Sequence, residues 1–167
     1  MLLRAQMLKN IGGFHSIGAE IIDDCALAAQ VKGAGGGLWL GVVNETRSIR
    51  GYETLSNIRD MIARTAFNQL RHSWALLTAC LFGMLLVFVA PLALVFSTRN
   101  AAGWIATAAC ILMFATYMPI LRLYRVNSLS ALTLPFAACF YMYATIISGF
   151  RYGRGVGGEW KGRAQDL

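Results

Sequence analysis

Two short stretches hold residues whose types and spacing suit chemistry. Arg64, Asn68 and Arg71 stand at i, i+4 and i+7, which puts them on one face of a helix. Planar guanidinium donors match phosphate oxygens, so that face can present arginines to a diphosphate. The same residues also suit an interfacial helix resting on anionic lipid headgroups, the commoner arrangement. The second stretch is Asp23-Asp24. It opens a helical pattern that puts Leu27 and Val31 on one face. Asp23 is placed to cap that helix, and both charges suit its positive N-terminus. Cys25, Cys80, Cys110 and Cys139 form no CxxC pair, so they read as small packing residues rather than a zinc or redox site. His15 and His72 are too isolated for a metal site.

The elements that must position these residues emerge from local pattern. Residues 2–10 read as a short helix ended by Gly12-Gly13, with no apolar region or cleavage site of a signal peptide. The helix opened by Asp23 is stopped by Gly33 and residues 35–37. Residues 38–43 (LWLGVV) read as a strand, and 45–52 as a polar loop. Thr54 or Ser56 starts a further helix through about Arg71, with Leu55, Ile58, Ile62, Ala66 and Leu70 on its apolar face. These elements are too few for an independent core. They read as one side of a larger α/β domain, or as a layer packed on the C-terminal half of the chain.

That C-terminal half is apolar. Of 167 residues, 57% are hydrophobic and 14% charged, which excludes a disordered chain and argues against a purely soluble one. Between His72 and Phe150 the charged residues are Arg99, Arg122 and Arg125 alone. Uncharged runs at 74–98, 100–121 and 126–150 each reach the roughly 20 residues that a membrane crossing needs. A chain of this length cannot wrap three such helices in polar protein. Pro91, Pro119 and Pro135 fall in or near the run ends and are tolerated in membrane helices. The net charge of +7 is interleaved with membrane segments, which favours anionic lipid or a phosphate ligand over nucleic acid. Arg47, Arg50, Arg59, Arg64 and Arg71 place the polar part in the cytoplasm. Arg151, Arg154, Lys161 and Arg163 place the tail there too. Three crossings do not reconcile the two unless one run is re-entrant or fails to cross.

The order GGF, DDCALA, VKGAGGGLWLG, ARTAFNQLRHS and WKGR, with the apolar runs between the last two, resembles the membrane-bound family 2 glycosyltransferases. The resemblance runs from about Leu8 to Arg163. It is greatest to the hopene-associated (hopanoid-cluster) subgroup, itself similar to ceramide glucosyltransferases. It implies an α/β nucleotide-sugar-binding domain followed by an interfacial helix and about three transmembrane helices, in a bacterial inner membrane. It also implies that Asp24 is the general base of an inverting transfer, with Asp23 beside it. A base removes the acceptor hydroxyl's proton as the oxygen attacks the anomeric carbon, and a second acid nearby raises its pKa. The family's Gln/Arg-x-x-Arg-Trp element falls on Asn68 to His72. Arg71 matches and is implied to bind the leaving diphosphate; Asn68 stands for Gln or Arg, and His72 for Trp. Gly12-Gly13-Phe14 resembles the loop near the acceptor.

The family's N-terminal half, with an Asp-x-Asp that holds Mg or Mn, has no counterpart among these residues. The expectation is therefore the C-terminal part of such an enzyme: incomplete α/β portion 1–53, amphipathic helix 54–72, membrane segment 73–150 and basic tail 151–167. On this expectation the chain carries no cofactor of its own and is inactive alone. Its partners are the bilayer, a lipid acceptor and, once the missing half is supplied, a nucleotide-sugar. The competing reading is a small non-catalytic membrane scaffold or subunit. A transporter fragment lacks support, since the runs carry no acid or lysine of the kind that marks an ion path.

Overall fold

A computed structural model of the chain describes residues 1–18, 20, 22–43, 46 and 51–156. The Trp160-Lys161-Gly162-Arg163 stretch and most of the expected 45–52 loop lie outside the described residues. The chain divides into two compact units, one containing Met1–Val43 and one containing Asn44–Gly157.

In the first unit, α1 (Ala5–Asn10) is followed by a 3-10 turn (Phe14–Ile17) and by α2 (Asp23–Gly33). Ile17, Leu27 and Val31 are buried, as the helical spacing of the last two requires. The Ser16 hydroxyl donates to the Gln30 side-chain oxygen at 2.8 Å, and the Gln30 amide donates back to the Ser16 carbonyl at 3.2 Å. This reciprocal pair ties the 3-10 turn to α2. The helix ends where Gly35 takes φ +78° and the Gly36 N–H donates to the Val31 carbonyl at 2.9 Å, a Schellman closure that favours glycine at the left-handed position.

The expected α/β portion is not there. Among the described residues no strand occurs, and residues 38–43 are irregular. Their side chains are largely open, Trp39 84% and Leu40 99% exposed. A strand needs a neighbouring strand to take its N–H and C=O groups, and no strand occurs among the described residues to supply one. The described elements are all helical.

The second unit begins with α3 (Leu55–Gln69). The Thr54 side chain caps it, accepting from the Asn57 N–H at 3.3 Å. Its buried residues are Ile62, Ala63 and Phe67, so the packed face is rotated from the expected stripe, and Leu55 is exposed. Then come α4 (Trp74–Met84), a π turn (Leu85–Val89), α5 (Ala90–Ser97), α6 (Ala101–Leu123), a 3-10 turn (Ser128–Thr133) and α7 (Leu134–Gly153). Three continuous helical stretches are long and apolar enough to cross a membrane: Trp74–Ser97, Ala101–Leu123 and Ser128–Gly153. They match the expected runs to within three residues at every end. The π turn lies just before Pro91, which has no N–H for the helix ladder and whose ring would press on the preceding turn.

Helix α7 is the hub of this unit, packing against α3, α4 and the π turn. Gly149 permits the approach to α4. A Cβ there would stand 3.0 Å from Leu77 Cδ2 and 3.2 Å from the Trp74 ring. Phe67, 1% exposed, is the largest fully buried side chain. Its burial stabilises the α3–α7 contact by about 1.5–3 kcal/mol on apolar-area grounds.

Candidate functional site

The turn between α3 and α4 carries Arg71 and His72. Helix α3 stops at Gln69 with Leu70 as its C-cap, so Arg71 lies beyond the helix and not on the face shared by Arg64 and Asn68. Arg71 and His72 both adopt left-handed backbone, φ 52° and 53°. Such a conformation costs a non-glycine residue roughly 1–3 kcal/mol, so the surroundings must hold it. The Arg71 N–H donates to the Asn68 carbonyl at 2.9 Å, and the His72 N–H to the Phe67 carbonyl at 3.0 Å.

The His72 ring stacks on Tyr152 of α7, with centroids 4.2 Å apart and planes 13° from parallel. Phe67 meets the same group, 5.7 Å from His72, 5.0 Å from Trp74 and 5.2 Å from Tyr152. The buried Phe67 N–H donates to the Ser148 hydroxyl at 3.0 Å. The strained turn is thus clamped on one side by four aromatic rings while the Arg71 side chain on the other is exposed. A guanidinium held this way is available to an anion at the head of the apolar helices.

Sequence reasoning misses the polar tie beside this clamp. Asp60 accepts from Arg151 at 2.8 Å and from Arg59 at 3.1 Å. Partial burial pushes the Asp60 carboxyl up, but hydrogen bonds from Arg151 and Arg59 and their charges outweigh it and hold the group below its ordinary value. A signal is present: Asp60 is the only acid between Thr54 and Arg71, and Arg151 is the first base after the last apolar run.

Asp23 and Asp24 lie in the first unit, in the first turn of α2, and both are exposed. Asp23 is not the cap. The N-cap residue is Ile22, which has no side chain able to cap. Each carboxylate instead folds onto the next backbone N–H: Asp23 Oδ1 accepts from the Asp24 N–H at 3.0 Å, and Asp24 Oδ1 from the Cys25 N–H at 2.8 Å. The adjacent Cys25 thiol is pushed up by slight burial and by the charge and hydrogen bond of Asp24. The site residues thus fall into two groups: Asp23 and Asp24 in one unit, Arg64, Asn68, Arg71 and His72 in the other.

No cluster of three or more His, Cys, Asp or Glu able to hold a metal occurs among the described residues. Residues 1–153 match the family model described as Glycosyl transferase family 21, where the sequence motifs point to family 2. No curated protein and no solved structure matches the chain.

Proposed function

The chain belongs to glycosyl transferase family 21, and from that premise we propose that it serves the acceptor and membrane side of an inverting sugar transfer from a nucleotide-sugar to a membrane-dissolved alcohol. The proposed acceptor is a hopanoid-like lipid. The family match over 1–153 carries this reading, and two features support it. One is the set of helices able to cross a membrane. The other is the exposed Arg71, held in a strained turn just before the first of them.

Asp24 takes the proton of the acceptor hydroxyl as its oxygen attacks the anomeric carbon, and Asp23 stands beside it in the same first turn of α2. Arg71 receives the leaving diphosphate, whose negative charge grows as the sugar–phosphate bond breaks. Arg64 and Asn68, on the last turns of α3, assist in binding the diphosphate. His72 orients the turn through its stack. On this reading the divalent cation and the Asp-x-Asp that binds it belong with a donor-binding half outside these residues, and the chain alone does not turn over.

The experiment is glycolipid analysis by mass spectrometry in cells that make the chain, comparing wild type with Asp24→Asn and Arg71→Ala. Both variants should insert normally in the membrane and lose the glycosylated lipid by about 100-fold or more, the scale of removing one transition-state stabiliser. Full glycolipid levels in either variant would remove that residue from the mechanism. Unchanged levels on deletion of the chain would leave only a membrane scaffold.

A further inference from the structure

We infer that residues 74–153 cross the bilayer twice, not three times, so that the start of the first apolar helix and the end of the last lie on the same face. Helix direction decides between the two counts. Trp74 opens the first apolar stretch, and Gly149 and Tyr152 close the third. Yet Trp74 packs on Gly149, and His72 stacks on Tyr152 at 4.2 Å. Farther along, α7 also contacts the π turn Leu85–Val89. Helix α4 therefore leaves this corner while α7 arrives at it, and the two run antiparallel.

Three successive crossings would make the first and third helices parallel. The end of the third would then stand about 30 Å from the start of the first, the thickness of the hydrocarbon core. The ring contact between His72 and Tyr152 forbids that. With Trp74–Ser97 and Ser128–Gly153 crossing in opposite directions, Ser97 and Ser128 reach the far face. Helix α6, which joins them, begins and ends there. Its neighbours agree: α6 packs on α5 and on the 3-10 turn Ser128–Thr133, the far ends of both crossings.

Charge gives independent support. Arg59 and Arg151 meet at Asp60, Arg71 stands in the turn stacked on Tyr152, and Arg154 ends α7 at the same corner, whereas Arg122 lies in the last turn of α6, with Arg99 and Arg125 just outside its ends. The corner is then the cytoplasmic face by the bias of Lys and Arg. The conflict between a basic N-terminal part and a basic tail disappears, because two crossings return the chain to the side it left.

The test is labelling by a membrane-impermeant maleimide in sealed vesicles of known orientation. Single cysteines are introduced as Tyr52→Cys, Arg99→Cys, Val126→Cys and Gln165→Cys, with the four native cysteines changed to serine. Tyr52→Cys and Gln165→Cys should label from one side, and Arg99→Cys and Val126→Cys from the other. Any other grouping overturns the proposal. Because a cysteine-free chain can misfold, a second measurement uses the native sequence with a reporter after Leu167. A fluorescent cytoplasmic reporter should be active there and alkaline phosphatase inactive; the reverse result equally overturns it.

Discussion

His72 and Tyr152, 80 residues apart in sequence, lie face to face with ring centroids 4.2 Å apart. This contact fastens the end of the last apolar helix to the turn that presents Arg71. His72 has left-handed backbone, and the stack, with the Phe67 edge, is what compensates its strain. An aromatic pair of this kind contributes about 0.5–1.5 kcal/mol beyond its buried area. Tyr152→Ala should therefore lower the unfolding temperature in detergent, and Tyr152→Phe should not. Thermal unfolding followed by size-exclusion chromatography reads both.

The close approach of α4 and α7 at Gly149 makes that position intolerant of bulk. Gly149→Leu would drive a branched chain into Leu77 and Trp74, whose atoms already stand 3.0–3.3 Å from a methyl placed there. Overpacking of this sort costs typically about 1–3 kcal/mol. A Gly149→Leu chain as stable as wild type would show that the two helices separate at little cost.

Asp60 gives a pH dependence with a definite sign. Its carboxyl is held below its ordinary value in the fold, so its ion pair stabilises above the unfolded value of about 3.9. That contribution is lost as pH falls through the lower folded value. The side chain is 45% exposed, so screening limits the effect to below about 1 kcal/mol. Asp60→Asn should lower stability slightly at pH 7, and the gap to wild type should close in acid below about pH 4. A gap that widens in acid would reverse the assignment.

The thiol of Cys25 reports on Asp24. Slight burial and the Asp24 carboxylate raise its pKa, which keeps the reactive thiolate scarce. Asp24→Asn should speed alkylation of Cys25 at pH 8 by a few fold, measured by mass spectrometry of the modified peptide. An unchanged rate would mean that the carboxylate does not sit against the thiol.

Arg71→Lys tests whether a planar fork, and not charge alone, is needed at the α3–α4 turn. A lysine keeps the charge and loses bidentate contact with phosphate oxygens. Glycolipid output should fall about 10-fold or more, short of the loss on Arg71→Ala. Equal output from Arg71→Lys and wild type would reduce the residue to a headgroup contact.

The apolar helices are legible in the sequence because hydrophobicity and bounding arginines set their limits locally, with no help from tertiary contacts. The stop of α2 is legible for the same reason: residues 35–37 are glycines, and one of them takes the left-handed turn. Residues 38–43 mislead because an apolar run with β-favouring residues describes half of a sheet, and the other half must come from elsewhere in a fold. The packed face of α3 differs from its apolar stripe because α7, whose Ser148 lies 81 residues beyond Phe67, selects Phe67 over Leu55. The helical spacing of Arg71 continues past the point where α3 ends. The Asp60–Arg151 pair is readable only as two unmatched charges until the fold joins them.

The π turn before Pro91 changes what one long helix can grip. One extra residue in a turn advances every later side chain by about 100° of azimuth relative to an uninterrupted helix. The half before the turn meets α7 and the half after it meets α6. A single rod would offer one continuous stripe to one neighbour; this one is dephased midway and so clasps two, with the proline marking where the grip changes hands.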